Sequence, residues 1–151
     1  GDLHRAEQEI LRVLAEQSTL LVIDNMESIL LPPFLHEETP DALSEEAARE
    51  AGFDVVVAKH QFRANSRAQI LGELDGLVKV IAKKNADGSA GQILGVHMVG
   101  PWVTEQLSGG YLAVNWEATV AEVAEYIQPH PSLTELFGET VLSLTGRSLN
   151  A

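Results

Sequence analysis

The sequence contains no cysteine in its 151 residues. Disulfide bonds, thiolate metal sites and cysteine nucleophiles are therefore excluded for this chain. A chain without cysteine suits a reducing compartment, and the acidic, amphipathic stretch at residues 1–10 lacks the character of a secretory signal. We therefore expect a soluble, cytoplasmic protein.

Basic residues are also scarce, since 10 lysines and arginines stand against 22 aspartates and glutamates, for a net charge of −12. Nucleic-acid binding requires clustered basic side chains that neutralise phosphates, so we expect no nucleic-acid partner. No apolar run approaches the length of a membrane span, so we expect no membrane partner. With 45% hydrophobic and 21% charged residues, the composition is that of a globular domain.

From Ser44 onward the chain carries the signals of an α+β domain. A helix is predicted between a Ser44 cap and a Gly52 stop. Strands are predicted at residues 53–58, 77–84 and 92–99, and the turn-forming stretch at 85–91 predicts that the last two pair as an antiparallel hairpin. Three helical segments are predicted to follow, at residues 103–114, 120–127 and 133–144. We expect a small antiparallel sheet packed against carboxy-terminal helices.

The spacing of apolar residues predicts which faces of these elements are buried. In the strand at 92–99, Leu94, Val96 and Met98 alternate and are predicted to share one face. In contrast, residues 59–76 show no clean period and are predicted to be mostly loop.

The helix predicted at residues 103–114 carries one apolar stripe, formed by Val103, Leu107, Tyr111 and Val114. Gly109 and Gly110 either weaken this helix or mark close packing. Trp102 and Trp116 bracket it, and they suit a dimer surface and a core equally.

The stretch QPHPSLTE, residues 128–135, supports two interpretations. Ser132 and Glu135 match a capping box at the start of a helix, and the pattern alone favours that structural role. Alternatively, Pro129 and Pro131 stiffen the backbone around His130, and Glu135 lies close enough to bind one imidazole nitrogen. The other nitrogen would then exchange protons, so His130 and Glu135 are the candidate catalytic residues.

Four stretches, in order, resemble the carboxy-terminal dimerisation domain of the pyridine-nucleotide disulfide oxidoreductases. They are LSEEAAREAGFDVVVAK, FRANSRAQILGELDGLVKVIA, ILGVHMVGPWVTEQL and ATVAEVAEYIQPHPSLTE. The subgroup most similar is dihydrolipoamide dehydrogenase, especially its actinobacterial forms. The resemblance implies that residues 43–151 form the interface domain of a homodimer.

The resemblance also implies roles for single residues. In that family the His-Pro histidine is the acid–base catalyst in the partner subunit's active site, and the following glutamate orients it. These roles fall on His130 and Glu135, while Gln128 stands where many members have a second histidine. The full family enzyme uses FAD and NAD and acts on the lipoyl group of a 2-oxoacid dehydrogenase complex.

The chain has neither the CxxxxC nor the GxGxxG motif of a complete enzyme of this family. The glycine-rich stretches at 88–95 and 109–110 lack the strand–turn–helix context that dinucleotide binding requires. We therefore expect that this chain alone binds no FAD, NAD or metal and is inactive by itself. Two interpretations stay open, namely a part that supplies a His–Glu dyad to a flavoenzyme and a stand-alone homodimerising module without a catalytic role.

Residues 1–42 are predicted to form a separate extension, with a helix at residues 2–17 and a strand at Thr19–Asp24. The stretch TLLVIDNMESIL resembles the Walker B region of NB-ARC-like signal-transduction ATPases, which implies a magnesium-binding role for Asp24. No GxxxxGK[ST] motif accompanies it, so a buried strand that ends at an Asp-Asn turn is favoured over nucleotide binding.

Overall fold

The computed structural model describes residues 44–148. The helix predicted at 2–17, the strand at Thr19–Asp24 and the magnesium role of Asp24 lie outside these residues. The described part is an α+β fold with one antiparallel sheet of three strands in the order β1-β2-β3, which confirms the predicted fold class. In chain order the elements are α1 (Glu45–Glu50), β1 (Val55–Gln61), a 3₁₀ turn (Phe62–Ala64), α2 (Ser66–Leu71), β2 (Leu77–Lys84), β3 (Ala90–Val99), α3 (Val103–Asn115), α4 (Val120–Val123) and α5 (Glu135–Ser143).

The helices α3, α4 and α5 cover one face of the sheet, and α1 lies against the other. The main core contains Val78 and Val80 of β2, Val96 and Met98 of β3, and apolar residues of all three covering helices. A smaller cluster on the opposite face joins Ala48 of α1 to Ile81 and Leu94. Because β2 is covered on both sides, its side chains are buried from Val78 to Ala82.

Helix α1 begins and ends where the sequence predicts. The Ser44 side chain accepts a hydrogen bond from the Ala47 amide at 3.0 Å, as an N-cap does. After the helix, Gly52 adopts a positive φ of 86°, the left-handed conformation that glycine tolerates best.

The predicted β2–β3 hairpin is confirmed, but the predicted face of Leu94 is wrong. Ile81 pairs with Gly95 whereas the next residue, Ala82, pairs with Ile93, so that Leu94 is an extra residue in β3. A bulge of this kind reverses the alternation on one side of it. Ile93 therefore joins Val96 and Met98 in the main core, and Leu94 faces the smaller cluster.

The prediction of loop at residues 59–76 is also wrong in part. Residues 59–61 continue β1, and α2 follows the 3₁₀ turn. The Asn65 side chain accepts a hydrogen bond from the Ala68 amide at 2.9 Å, and Gly72 ends the helix with a φ of 75°. With six residues, α2 is too short to show a helical period, although its cap and stop residues are visible in the sequence.

Helix α3 is rotated relative to the predicted stripe. Gly110, Ala113 and Val114 are buried, while Tyr111 is exposed, so the prediction for Tyr111 is wrong. A Cβ atom at Gly110 would lie 2.8 Å from Val96 Cγ1, which means that a glycine here allows α3 to approach β3 closely. This contact confirms the close-packing interpretation of Gly110.

Trp102 and Trp116, at the two ends of α3, are both exposed. The core role considered for them is therefore wrong, and the surface role remains. Within residues 44–148, no helix combines the length and apolar character needed to cross a bilayer.

Candidate functional site

The loop between α4 and α5 presents His130 at the surface. His130 lies between Pro129 and Pro131, and the His130–Pro131 peptide bond is cis. Its side chain is 72% exposed, so the ring is accessible to a group that approaches from outside this chain. Since neither proline has an N–H group, the loop has few backbone donors with which to hold itself.

Glu135, the first residue of α5, contacts His130 directly. The Glu135 Oε1 atom lies 2.8 Å from His130 Nδ1, so the structure brings the two predicted residues together. A carboxylate accepts hydrogen bonds only, and therefore the proton of the neutral ring belongs on Nδ1 in this arrangement. The Nε2 atom is then the position that can take up a proton.

The second carboxylate oxygen of Glu135 holds the backbone of the same loop. Its Oε2 atom accepts a hydrogen bond from the Ser132 amide at 2.7 Å. This is the glutamate half of the capping box that the sequence suggests. One carboxylate thus makes both of the contacts that the two interpretations require of it, because it has two oxygens and the loop approaches each of them.

The other half of that capping box is wrong. Helix α5 begins after Thr134 rather than Ser132, and no side chain caps it. The Ser132 hydroxyl instead lies 2.9 Å from the Thr134 hydroxyl. Thr134 has α-helical backbone angles, whereas a capping residue needs extended ones.

By contrast, the capping box that Thr119 and Glu122 form at the start of α4 is complete. Thr119 is extended, its side chain accepts from the Glu122 amide at 3.3 Å, and Glu122 accepts from the Thr119 amide at 2.8 Å. The Thr119 hydroxyl also donates to the Glu122 carboxylate at 2.7 Å. The hydrogen bonds from the Thr119 amide and hydroxyl hold the pKa of the Glu122 carboxyl below its ordinary value.

A cavity of about 470 Å³ lies beside the His130–Glu135 pair. Its walls include Asn65 from the start of α2, Tyr126 and Gln128 from the loop after α4, and Glu139 from α5. Gly138 lies where a Cβ atom would be 2.7 Å from Gln128 Cγ, so α5 leaves room for the loop to lie against it.

Asn65 is the residue of this site that sequence reasoning missed. Its Nδ2 atom donates a hydrogen bond at 2.9 Å to the carbonyl oxygen of Ser132, which lies 67 positions further along the chain. The sequence marks Asn65 as a helix cap by its residue type, but no local pattern indicates its second bond.

The glycine-rich stretches of the described residues do not form a dinucleotide site. Gly88 lies in the β2–β3 turn, Gly91 and Gly95 lie within β3, and Gly109 and Gly110 lie inside α3. A phosphate cradle instead requires glycines between a strand and the amino terminus of a helix. These glycines therefore do not fit FAD or NAD.

Comparison with known proteins gives one family for this fold and site. The family described as "Pyridine nucleotide-disulphide oxidoreductase, dimerisation domain" matches residues 43–141. This range includes every strand of the sheet together with His130 and Glu135.

Curated relatives agree with that family. The chain is 37% identical over 129 residues to dihydrolipoyl dehydrogenase of Bacillus subtilis, covering 83% of this chain and 26% of that protein. It is 45% identical over 109 residues to the Rhizobium etli dihydrolipoyl dehydrogenase, covering 72% of this chain and 22% of that protein. The chain thus spans only about a quarter or less of the length of these relatives.

Solved structures support the fold. LpdA from Mycobacterium tuberculosis aligns with a TM-score of 0.61 at 22% identity, over 68% of this chain and 22% of that chain. The HOCl-induced flavoprotein disulfide reductase RclA from Escherichia coli aligns with a TM-score of 0.60 at 22% identity, over 67% of this chain and 22% of that chain. The resemblance of residues 19–30 to the Walker B region of signal-transduction ATPases is not borne out. The matching family, the curated relatives and the solved structures are pyridine-nucleotide and flavoprotein disulfide oxidoreductases instead.

Proposed function

We propose a function from the premise that this chain belongs to the dimerisation-domain family of the pyridine nucleotide-disulphide oxidoreductases. The proposed function is to serve a reaction like that of dihydrolipoyl dehydrogenase. In this proposal the domain at residues 43–151 pairs with a second copy and presents His130 to the partner's active site. The observation that carries it is the 2.8 Å contact between Glu135 Oε1 and Nδ1 of a histidine that is 72% exposed.

The proposed chemistry is proton transfer at His130 Nε2. This atom takes the proton of a dihydrolipoyl thiol, and the resulting thiolate attacks one sulfur of a redox disulfide in the partner's active site. Since these 151 residues contain no cysteine, we propose that other parts of the protein, or another chain, supply that disulfide. A mixed disulfide forms, the other sulfur leaves as a thiolate, and the imidazolium keeps the proton. Glu135 stabilises the imidazolium because it places a negative charge at Nδ1.

The remainder of the reaction belongs to parts outside residues 44–148. FAD and NAD would carry the electrons onward, and we propose that other parts of the protein, or another chain, hold them. Since these relatives are dihydrolipoyl dehydrogenases, the proposed substrate class is a dihydrolipoyl group, and a 2-oxoacid dehydrogenase complex in the cytoplasm would present it. Residues 1–42 would form a separate extension.

The surface around α3 supports the proposed homodimer. Four large apolar residues are exposed there, with Trp102 at 65%, Tyr111 at 60%, Leu112 at 42% and Trp116 at 74%. We call this set the α3 surface. Exposed aromatic residues of this kind are typical of the core of an interface, and a two-fold axis would bring the same surface from both copies together.

The proposal is tested by grafting residues 43–151 in place of the matching segment of the Rhizobium etli relative, which is 45% identical there. The graft should oxidise dihydrolipoamide. His130→Gln should lower kcat by about 100-fold or more, because it removes the general base.

Two measurements serve as controls for this substitution. The flavin absorbance and the dimer mass of the His130→Gln graft should match those of the unsubstituted graft, since the His130 side chain is exposed. If the variant turns over as fast as the graft, His130 is not the base, and the stand-alone dimerisation module becomes the better description. An inactive graft with intact flavin and dimer mass would also contradict the proposal.

A further inference from the structure

A chain of hydrogen bonds runs from helix α2 to the imidazole ring of His130. Asn65 Nδ2 donates to the Ser132 carbonyl at 2.9 Å, and the Ser132 amide donates to Glu135 Oε2 at 2.7 Å. Glu135 Oε1 then lies 2.8 Å from His130 Nδ1. We infer that Asn65 is a positioning residue, which fixes the orientation and tautomer of His130 through Ser132 and Glu135.

The Asn65 side chain is held at both of its polar atoms. Its Oδ1 atom accepts from the Ala68 amide at 2.9 Å, while Nδ2 donates to Ser132, and the residue is only 5% exposed. The direction of the amide group is determined, because the oxygen must face an N–H group and the nitrogen must face a carbonyl. An aspartate would keep the acceptor and lose the donor, and a serine would cap the helix without reaching Ser132.

The Ser132 peptide is the point at which the loop needs support. Pro129 and Pro131 supply no N–H groups, so the backbone around His130 has few donors of its own with which to hold its conformation. Asn65 binds the carbonyl of Ser132, and Glu135 binds the Ser132 amide. Both backbone polar groups of Ser132 are therefore fixed. Without Asn65 the Ser132 carbonyl loses its buried hydrogen-bond donor. The Ser132 amide, which donates to the Glu135 carboxylate, is then no longer held in a fixed position.

This inference rests on the proposed function for its purpose, but its geometry can be measured without turnover. The 151-residue chain, labelled at histidine, would be studied by heteronuclear NMR, with His130→Gln used to assign the His130 ring signals. In the wild-type chain we expect the neutral ring to carry its proton on Nδ1. Asn65→Asp and Asn65→Ser should each shift the Nδ1-to-Nε2 tautomer ratio of His130 by about fivefold, the effect of one net hydrogen bond.

The two substitutions separate positioning from helix capping. Both aspartate and serine are good caps, so the Ala68 amide signal should stay close to that of the wild type. The melting temperature should fall in both variants, because the Ser132 carbonyl loses its buried donor. Unchanged tautomer ratios in both folded variants would overturn the inference and leave Asn65 as a helix cap only.

A measurement on the wild-type chain covers the case in which neither variant folds. The side-chain amide protons of Asn65 should exchange with solvent more slowly than those of Asn115, which is partly exposed. Rapid exchange at Asn65 would overturn the inference. Conversely, a tautomer shift in the Asn65 variants, combined with full activity of the His130→Gln graft, would retain the positioning role and reject the proposed catalysis.

Discussion

At the scale of single residues, the ion pair between the buried Lys79 and the partly buried Glu45 ties α1 to the sheet. Lys79 Nζ lies 3.0 Å from Glu45 Oε2, and the Lys79 side chain is only 9% exposed. The hydrogen bond from Lys79 holds the pKa of the Glu45 carboxyl below its ordinary value, against the opposing effect of burial. A buried charge that loses its partner is costly, so this pair matters more than its surface neighbours.

Glu45→Gln should therefore destabilise the chain at neutral pH. We expect the free energy of unfolding to fall by about 2 kcal/mol at pH 7, because Lys79 loses a charged hydrogen-bond partner. Since the folded pKa of Glu45 is lowered, its contribution is complete above the unfolded value near 4.5 and is lost as the pH falls through the folded value. Urea unfolding at pH 7 and at pH 3 should show a difference between wild type and variant that shrinks at the lower pH.

Arg49→Gln is the matched control for this prediction. Arg49 binds the same carboxylate at 2.6 Å, but its side chain is 57% exposed. Water screens such a pair, so we expect a loss below about 0.5 kcal/mol. Equal losses for both variants would show that burial of Lys79 does not set the strength of the pair.

At the scale of secondary-structure elements, the packing of α3 on β3 depends on which of two adjacent glycines faces the sheet. A Cβ atom at Gly110 would lie 2.8 Å from Val96 Cγ1, whereas one at Gly109 would lie 3.8 Å from Phe137 Cε1. The first distance demands a shift of packed atoms, and the second is an ordinary contact. Rigid core packing should make the two positions respond differently to the same substitution.

Gly110→Ala and Gly109→Ala should change stability in opposite directions. In each variant, the higher helix propensity of alanine relative to glycine stabilises the chain by about 1 kcal/mol. At Gly110 this gain is exceeded by the cost of overpacking against Val96, about 2 kcal/mol, so the net result is destabilisation by about 1 kcal/mol. Thermal unfolding of both variants measures the difference, and a stabilised Gly110→Ala chain would show that α3 can move away from β3 at little cost.

At the scale of the whole molecule, the exposed apolar side chains of the α3 surface are a feature that an isolated subunit leaves unexplained, and Ile70, Tyr126 and Ile127 are exposed as well. Large apolar side chains rarely cluster on the surface of a monomer without a partner. Leu112 is 42% exposed, so a charged residue there should leave the fold of one subunit intact.

Leu112→Arg should weaken the proposed homodimer by about tenfold or more, because it would place an unpaired charge in the proposed apolar interface. Sedimentation velocity over a range of micromolar concentrations would measure the change. Leu112→Met, which keeps the volume and the apolar character, should dimerise like the wild type. A wild-type chain that sediments as a monomer would count against the homodimer, and an unaffected Leu112→Arg dimer would place the interface elsewhere.

The sequence contains enough local information to predict the α+β class, the β2–β3 hairpin and the first helix. These features depend on caps, turns and alternation, whose physical causes act over a few neighbouring residues. The same is true of the contact between His130 and Glu135, since five positions at the start of a helix bring a carboxylate near the preceding loop. The catalytic role of the two residues remains a prediction.

Other features follow from packing between segments that are distant in the sequence. The bulge that turns Leu94 to the opposite face exists only in the register between β2 and β3. Likewise, α3 exposes Tyr111 because Gly110 fits against Val96, which no periodicity of α3 alone reveals. The link between Asn65 and the histidine loop spans 67 positions, so it required the folded chain to bring a buried amide and a surface loop together.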